Sequence, residues 1–295
     1  MLETLETRRL FAFAVANGVL TVTGTPNPDH IAVGKNGSNL VIHQNGSTAT
    51  TPAAGVTKIV INGLAGNDEL RVLIGLNGVN LPATLNGGDG HDRLFGGVAN
   101  DVLNGNLGND ILNGGPGNDV LNGNEGNDVL IGGPGADVFN GGSGNDTADY
   151  REARSNLVIT LDNVANDGAP ALAATATAPA RPAENDNVKG DVENVIGGRG
   201  HDKITGNAAN NRLVGGPGND SLYGGAGNDF LDGGPGSDLL NGDAGNDTFF
   251  AKDNTKDSLN GGDGDDRSAN DAIDVLNSIE HPNQPPPPPP PPPAP

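Results

Sequence analysis

A strict nine-residue repeat fills two stretches of the chain and limits what this sequence can fold into. Seven units run without slippage over residues 86–148, and six more run over residues 196–249. A typical unit, NGGPGNDVL at residues 113–121, contains the six turn residues GGPGND, and a short extended piece follows them. A fixed period of this kind is typical of solenoids, in which every repeat stacks on its neighbours.

The central residue of each extended piece is apolar, and strand alternation turns it toward the inside of the stack. Only 34% of the chain is hydrophobic, against about 45–50% for a compact globular domain. The sequence therefore predicts a thin core made of stacked side chains rather than a broad one. This inward ladder consists of Leu94, Leu103, Leu112, Leu121, Leu130 and Phe139 in the first block, and Ile204, Leu213, Leu222, Leu231, Leu240 and Phe249 in the second.

The stretches around the blocks define the rest of the predicted organisation. Residues 19–85 contain short β-branched alternations separated by Gly, Asn and Pro, which is the signature of a small β-strand region. They include a degenerate repeat unit at residues 62–70, so we expect this region to lead directly into block 1, residues 86–149. Residues 150–195 predict a strand at 156–161 followed by a flexible insertion rich in Ala, Pro and Thr.

Both ends of the chain differ from the blocks in composition. Block 2 with its closing segment occupies residues 196–281, and residues 282–295 include nine consecutive prolines, which predict an extended polyproline II spacer. Residues 1–18 form a leader-like segment for export. Its apolar run at residues 10–16 is short and follows two glutamates, so it is a poor secretory signal. Residues 2–10 resemble the start of many exported planctomycete proteins.

Charge and residue content exclude several classes of protein. The chain has 16 basic and 37 acidic side chains and a formal net charge of −21, which excludes an electrostatic nucleic-acid binder. No apolar run approaches the length of a membrane span, about 18 residues or more. The chain has no cysteine, so disulfides, zinc knuckles and thiol nucleophiles are excluded.

The last turn residue of almost every unit is an aspartate. If two units make one coil, alternate aspartates stack in two columns with carboxylates about 5 Å apart. Like charges at that spacing repel by about 1 kcal/mol per neighbour in water, so the columns need cations between them. Oxygen ligands without soft ligands select a hard ion and favour Ca²⁺ over Mg²⁺. The candidate ligands are Asp92, Asp101, Asp110, Asp119, Asp128, Asp137, Asp146, Asp202, Asp220, Asp229, Asp238 and Asp247.

The turn glycines are predicted to occupy backbone positions at positive φ, where a Cβ would clash. At one such position Asn106, Asn124 and Asp243 replace glycine, and Asn and Asp are the residues that best tolerate the left-handed region. Proline at the variable turn position fixes φ and leaves its carbonyl free to act as a ligand.

With these residues the chain resembles the hemolysin-type calcium-binding repeats of secreted bacterial RTX proteins. The resemblance covers both blocks and implies an all-β fold of two parallel β-roll (β-helix) blocks, preceded by the small β-strand region. It also implies that turn carbonyls and the Asp of one unit, with the Asp two units on, enclose each Ca²⁺. The glycines in these turns are Gly87, Gly96, Gly105, Gly114, Gly123, Gly132, Gly215, Gly224 and Gly233. The implied pairs are Asp92 with Asp110, Asp101 with Asp119, Asp110 with Asp128, Asp119 with Asp137, Asp128 with Asp146, Asp202 with Asp220, Asp220 with Asp238 and Asp229 with Asp247.

Three departures from the repeat change what this resemblance implies locally. Asn211 stands where the other units have Asp, and Ala209 replaces a glycine in the same turn, so that site should be weak or empty. Ala99 replaces a turn glycine beside Asp101. Residues 261–266 read as one further turn after a break in register, and whether that turn binds an ion is left open.

The sequence thus predicts a structural or interaction module, extracellular or at the cell surface, that folds on binding several Ca²⁺ ions. Cell-surface or polysaccharide ligands are the candidate partners beyond calcium. No HExxH or GxSxG motif is present, so no enzyme activity is expected. Two alternatives stay open. One is the calcium-binding tail, or a small member, of a secreted RTX enzyme family (protease, lipase or mannuronan epimerase-like), and the other is a surface adhesin.

Overall fold

The computed structural model describes residues 12–73, 79–170 and 183–283. Within these ranges the chain forms β-strands and turns without a helix, which confirms the all-β prediction. Accordingly, none of the described segments is a helix able to cross a membrane. The strands lie in three sheets, called A, B and C below, and most of them pair in parallel.

The strands of each sheet follow one another from edge to edge along the stack. Sheet A contains, in this spatial order, β1 (Ala12–Ala16), β2 (Val19–Thr23), β6 (Lys58–Ala65), β8 (Ala83–Asp89), β10 (Val102–Leu107), β12 (Val120–Glu125), β14 (Val138–Ser143) and β17 (Asn187–Val188). Sheet B contains β5 (Ser47–Pro52), β4 (Asn39–Gln44), β3 (His30–Asn36), β7 (Glu69–Val72), β9 (Arg93–Phe95), β11 (Ile111–Asn113), β13 (Val129–Ile131), β15 (Thr147–Asp149), β18 (Asn194–Ile196), β20 (Arg212–Val214), β22 (Phe230–Asp232), β24 (Thr248–Ala251), β26 (Arg267–Asn270) and β28 (His281–Pro282). Sheet C contains β16 (Val158–Thr160), β19 (Lys203–Thr205), β21 (Ser221–Ala226), β23 (Leu239–Ala244), β25 (Ser258–Asp263) and β27 (Val275–Asn277).

The nine-residue period sets the geometry of the roll. Successive strands of block 1 alternate between sheets A and B, so two units make one coil. Strand β10 pairs with β12 in a register that places Leu103 beside Leu121. Strand β11 pairs with β13 and places Leu112 beside Leu130. Each partner lies two units further along the chain, which confirms the predicted two-unit coil.

The predicted inward ladder forms the core of both blocks. All twelve of its side chains are 0% exposed and belong to one hydrophobic cluster. On the outer face of sheet A, asparagine side chains link successive coils: Asn104 Nδ2 donates to Asn86 Oδ1 at 2.7 Å, and Asn122 Nδ2 donates to Asn104 Oδ1 at 2.7 Å. Strand alternation therefore buries the Leu side chains on the inner face of the thin sheet and lets the Asn side chains hydrogen-bond to one another on its outer face.

The two predicted β-roll blocks are confirmed, and they share sheet B. Strand β15 pairs directly with β18, Thr147 beside Asn194, although the insertion lies between them in sequence. Sheet A ends at β17 and sheet C begins at β16. Across the insertion, sheet A is therefore replaced by sheet C, while sheet B continues through both blocks.

The N-terminal strands belong to the same stack. In sheet A, β2 pairs with β6 and β6 with β8, while in sheet B, β3 pairs with β7 and β7 with β9. Strand β1, which falls within the leader-like segment, pairs antiparallel with β2, and β3, β4 and β5 form an antiparallel meander. Residues 1–11 of that segment, most of the Ala/Pro/Thr-rich stretch and the polyproline tract lie outside the described residues.

Candidate metal centre

The aspartate that ends each turn immediately precedes a strand, so strand pairing stacks these aspartates in columns. The backbone N–H of Asp92 donates to Oδ1 of Asp110 at 2.7 Å, and Asp110 donates in the same way to Asp128 at 2.8 Å. We name each column after the sheet whose strands follow it. The sheet B column is Asp29, Asp68, Asp92, Asp110, Asp128, Asp146, Glu193, Asn211, Asp229, Asp247, Asp266 and Glu280. The sheet A column is Asp101, Asp119, Asp137 and Asp186, and the sheet C column is Asp202, Asp220, Asp238, Asp257 and Asp274.

The column carboxylates are buried, and most of them are only half satisfied. Asp238 is the most exposed of the twelve candidate ligands, at 4%. In the majority of coils Oδ1 accepts the N–H of the preceding coil, while Oδ2 is buried without a hydrogen-bond partner. These unpartnered Oδ2 atoms belong to Asp68, Asp92, Asp110, Asp119, Asp128, Asp137, Asp146, Asp220, Asp229, Asp238, Asp247, Asp257 and Asp266. A buried oxygen of this kind requires a ligand, a proton or a cation.

The first aspartate of each column is one of the exceptions. Oδ2 of Asp29 accepts the N–H of Thr25 at 2.6 Å. Oδ2 of Asp101 accepts the N–H of Gly97 at 2.6 Å, and Oδ2 of Asp202 accepts that of Gly198 at 2.8 Å. In each case the donor lies four residues before the aspartate. Where a column begins, the turn itself satisfies the carboxylate.

The backbone angle of that fourth-preceding residue separates the two kinds of turn. It has positive φ before twelve of the thirteen unpartnered carboxylates, as at Gly88 (121°), Asn106 (81°) and Asp243 (70°). It does not have positive φ before Asp29, Asp101 or Asp202. Asp257 is the one unpartnered carboxylate without it. A residue at positive φ, four positions before the aspartate, thus goes together with an Oδ2 that has no hydrogen-bond partner. Most of these residues are Gly, Asn or Asp, which tolerate positive φ, and the positive-φ prediction is confirmed for this turn position.

The nine glycines singled out from the sequence are needed for a different reason. None of them is among the residues at positive φ, so the prediction was wrong for these positions. A Cβ added to Gly105 would instead overlap Oδ2 of Asp110, and the same clash recurs between Gly123 and Asp128. In all nine turns the glycine lies against the carboxylate five residues later. Glycine is required here because the carboxylate fills the space of a side chain.

Burial raises the pKa of the column carboxylates. The pKa of Asp119 rises to about 7, chiefly because burial disfavours the charged form, with a further contribution from the charge of Asp101. The pKa of Asp137 rises to about 8, again mainly through burial, with Asp186, Asp119 and Glu184 adding repulsion. The metal-free columns therefore resist ionisation at neutral pH.

The donor set fits a hard cation that takes part of its ligands from the backbone. Among the described residues no three acidic or histidine side chains converge on one point. Each free Oδ2 instead borders turn backbone: a Cβ on Gly105 would approach both Oδ2 of Asp110 and, at 2.8 Å, the carbonyl oxygen of Gly123. Carboxylate and carbonyl oxygens in flexible numbers are the ligands that Ca²⁺ prefers.

Comparison with protein families agrees with this geometry. The family model for the RTX calcium-binding nonapeptide repeat matches four times, at residues 84–112, 113–148, 189–222 and 214–249. Both repeat blocks thus match this family, and we call them the RTX blocks below. Ca²⁺ is therefore the ion to which their oxygens are suited, and the matching family is a binding repeat rather than a catalytic one. No curated protein matches the chain.

All twelve candidate aspartates of the RTX blocks lie in the columns. Each of the eight predicted pairs is joined by a hydrogen bond from the backbone N–H of the first residue to Oδ1 of the second, at 2.7 or 2.8 Å. What the sequence did not reveal is that Asp101 and Asp202 have both oxygens satisfied by the protein.

Several column residues lie outside the nine-residue phase, so the repeat could not point to them. Asp186 and Glu193 lie between the two blocks in sequence, yet they accept the N–H groups of Asp137 and Asp146 at 2.9 and 2.8 Å. Asp257 continues the sheet C column across a coil that is one residue longer. For Asp68 a signal was present in the degenerate unit, and for Asp266 in the extra turn whose ion binding was left open. The remaining residues missed are Asp29, Asp274 and Glu280.

Asn211 shows what the RTX turn becomes without a carboxylate. Its Oδ1 accepts the N–H of Asn207 at 2.8 Å, and its Nδ2 donates to the carbonyl of Glu193 at 3.0 Å. Both polar atoms of the side chain are thereby paired, and Asn207 is not at positive φ. Asn211 thus restarts the sheet B column with a turn of the kind seen at Asp29.

Proposed function

We propose that this chain is an exported calcium-binding module, structural or interacting, whose RTX blocks fold when Ca²⁺ binds. Among the described residues, thirteen buried carboxylate oxygens without a hydrogen-bond partner are spaced regularly along the roll, and this observation carries the proposal. Twelve of the thirteen accompany a positive-φ residue that withholds a backbone N–H from the carboxylate. A turn that withholds its own donor leaves room for an external cation.

Coupled folding follows from the energetics of the metal-free roll. An unsatisfied buried polar group costs about 1–3 kcal/mol, and a charged one costs more. Each two-unit coil offsets this with only two inward side chains, such as Leu112 and Leu121. The hydrophobic burial in so small a core does not offset both the free-energy cost of many buried carboxylates and the entropy lost when the backbone becomes ordered. Binding of a cation is then part of the free energy of folding.

The ligands assigned in this proposal are the aspartates of the RTX blocks with a free Oδ2, together with carbonyl oxygens of the glycine-containing turns. Asp119 and Asp137 lie in successive coils of the sheet A column and supply such oxygens. Asp101 and Asp202 are less suited, because the protein already satisfies both of their oxygens. We expect each of these two aspartates to begin its column without binding a Ca²⁺ ion of its own.

An extracellular or cell-surface location suits this chemistry. Calcium sites of extracellular modules work at about 10⁻⁴–10⁻³ M, and a roll that depends on such sites would be unfolded where free Ca²⁺ is scarce. The chain has no cysteine, so ion binding takes the place that disulfides hold in many secreted domains. Cell-surface or polysaccharide ligands are the partners we propose for the outer faces of the roll.

The experiment is far-UV circular dichroism and size-exclusion chromatography of the full chain at pH 7.5, with and without Ca²⁺. We expect an expanded and largely disordered chain in chelator, and a compact β-rich one in millimolar Ca²⁺. Mg²⁺ at the same concentration is the matched control and should restore little structure. Identical spectra and hydrodynamic radii in chelator and in Ca²⁺ would overturn the proposal.

A further inference from the structure

Asp68 lies outside both RTX blocks, in the coil formed by β6 and β7. Its side chain is 2% exposed, and its Oδ2 is buried without a hydrogen-bond partner. Its Oδ1 accepts the N–H of Asp29 at 2.7 Å, and its own N–H donates to Oδ1 of Asp92 at 2.7 Å. Asp68 therefore stands in the sheet B column between one protein-satisfied carboxylate and one RTX carboxylate.

The turn before Asp68 has the backbone of an RTX turn, although Leu64 replaces the second glycine of the repeat. Leu64, four residues earlier, has a φ of 90°, a value that leucine rarely adopts. The corresponding residue before Asp29 is Thr25, which is not at positive φ and donates its N–H to Oδ2 of Asp29. Leu64 thus holds the conformation that leaves a carboxylate oxygen free in the RTX coils.

Backbone oxygen is available beside this free carboxylate oxygen. A Cβ added to Gly63 would overlap Oδ2 of Asp68 and would lie 2.5 Å from the carbonyl oxygen of Gly87 in the next coil. The carboxylate and that carbonyl therefore border one small space, as they do in the RTX turns. No side chain of Lys, Arg or His forms an ion pair with Asp68 among the described residues.

We propose that Asp68 binds a divalent cation of the Ca²⁺ class at the junction between the N-terminal coils and block 1. The ligands would be Oδ2 of Asp68 and neighbouring turn carbonyl oxygens, including that of Gly87. This inference rests on the proposed function of the RTX blocks, but it concerns a coil that precedes the first RTX match at residue 84. An ion at this point would couple the coils that precede the repeats to the calcium-dependent stack.

The test uses the full chain and Ca²⁺ alone at pH 7.5, with bound Ca²⁺ counted by equilibrium dialysis. Asp68→Asn keeps an oxygen that can accept the N–H of Asp29 but removes the charge, and it should lower the count by one. Asp29→Asn is the matched control in the same column and should leave the count unchanged. Asp119→Asn reports on an RTX site and should also lower the count.

These three variants distinguish the proposed site at Asp68 from the proposed function of the RTX blocks. If Asp119→Asn loses an ion while Asp68→Asn binds as many as the wild type, the site at Asp68 is overturned and the RTX function stands. If neither variant loses an ion, both are overturned. An equal loss in Asp29→Asn would overturn the assignment of the ion to the free oxygen of Asp68.

A second measurement on the wild-type chain covers the case in which Asp68→Asn does not fold. Trace Gd³⁺ added to the Ca²⁺-loaded protein exchanges into calcium sites and broadens nearby amide signals in NMR spectra. The amides of residues 63–68 should broaden together with those of the RTX turns. The amides of residues 17–18 should not, because they lie at the opposite end of β2 and β6. Sharp signals at residues 63–68 alongside broadened RTX turns would overturn the site.

Discussion

The N-terminal coils and RTX block 1 are built on one stack, yet different forces hold them together. Residues 12–73 and residues 86–148 are nearly equal in length, and both place their strands in sheets A and B. The RTX stretch has seven buried hydrophobic side chains and six unpartnered carboxylate oxygens, and the N-terminal stretch has one such oxygen, on Asp68. The N-terminal stretch buries eleven hydrophobic side chains, namely Leu20, Val22, Ile31, Val33, Leu40, Ile42, Val56, Ile59, Ile61, Leu70 and Val72.

We infer from this contrast that hydrophobic burial and the proposed binding of ions substitute for one another along the roll. Burying a Leu, Ile or Val side chain contributes about 1.5–3 kcal/mol, so four additional ones favour the N-terminal coils substantially. The first carboxylate there, Asp29, is held by Thr25 and by the amide of Asn45 and needs no ion. The RTX coils have neither advantage, and in the proposed function the binding of Ca²⁺ supplies the stabilising free energy that they lack.

Calcium removal should give the largest effect and tests the comparison directly. In chelator we expect amides of residues 86–148 to lose at least about 100-fold of their hydrogen-exchange protection, because their fold depends on ions. Residues 19–61 should keep most of theirs, since a hydrophobic core holds them. Exchange measured by mass spectrometry on peptic fragments reports both regions in one sample. Equal loss of protection in the two regions would show that the N-terminal coils depend on Ca²⁺ as much as block 1 does.

Two alanine variants in one column distinguish a carboxylate that we assign to Ca²⁺ from one that accepts only protein hydrogen bonds. Asp119→Ala removes a free oxygen that we assign to calcium, so the Ca²⁺ midpoint of folding should rise several-fold. Asp101→Ala removes a carboxylate that the N–H groups of Ala83 and Gly97 already satisfy. It should lower stability by about 1–3 kcal/mol through the unpaired donors, at any Ca²⁺ concentration. Calcium titrations followed by circular dichroism distinguish a shifted midpoint from a lower melting temperature at saturating Ca²⁺.

Acidification should replace calcium in part, and mainly in the RTX blocks. Burial raises the pKa of Asp110 and Asp119 to about 7 and that of Asp137 to about 8 in the folded state. A raised pKa in the folded state favours folding below the unfolded value of about 3.9, and this contribution is lost as pH rises toward 7 or 8. Calcium-stripped protein should therefore gain β-structure as the pH falls from 8 to about 5. Unchanged circular dichroism over that range would contradict the assignment of these carboxylates as buried and unpartnered.

The sequence was sufficient for most of what repeats in phase, and it failed mainly where phase is lost. The period predicted the inward leucines and the stacking of Asp92 on Asp110, because strand pairing converts spacing into contact. It could not place Asp186 or Glu193, since they lie between the blocks, where no repeat fixes the spacing. Nor could it separate the glycines that need positive φ from Gly105, whose Cβ space is taken by Asp110. That difference depends on three-dimensional packing rather than on residue type.

Asn211 is a turn of the Asp29 kind inside an RTX block, and it tests whether a carboxylate alone makes a site. By residue type, Asn211→Asp would be expected to add an ion. The structure predicts that it adds none, because the N–H of Asn207 would satisfy the new carboxylate as it now satisfies the amide. Loss of the bond from Asn211 Nδ2 to Glu193 should cost about 1 kcal/mol.

The double variant Asn207→Gly with Asn211→Asp allows positive φ before the carboxylate and should bind one more Ca²⁺ than the wild type. Calorimetric titration counts the ions in both variants and in the wild type. An added ion in the single variant would show that charge, and not the turn, selects the sites.

The smallest effect expected is at Leu64, where the N-terminal coils use an RTX turn without an RTX residue. A left-handed backbone costs a residue other than glycine about 1–2 kcal/mol, whereas glycine in place of another residue costs about 0.5–1 kcal/mol in chain entropy. The Leu64 side chain is 46% exposed, so its removal forfeits little burial. Leu64→Gly should therefore stabilise the protein by about 0.5–1 kcal/mol without altering the number of bound ions. Leu107→Gly is the matched control, because Leu107 is 44% exposed and is not at positive φ, and this variant should destabilise by a similar amount. Urea unfolding in saturating Ca²⁺ measures both, and destabilisation by Leu64→Gly would mean that this turn relaxes to an ordinary φ and leaves no free oxygen at Asp68.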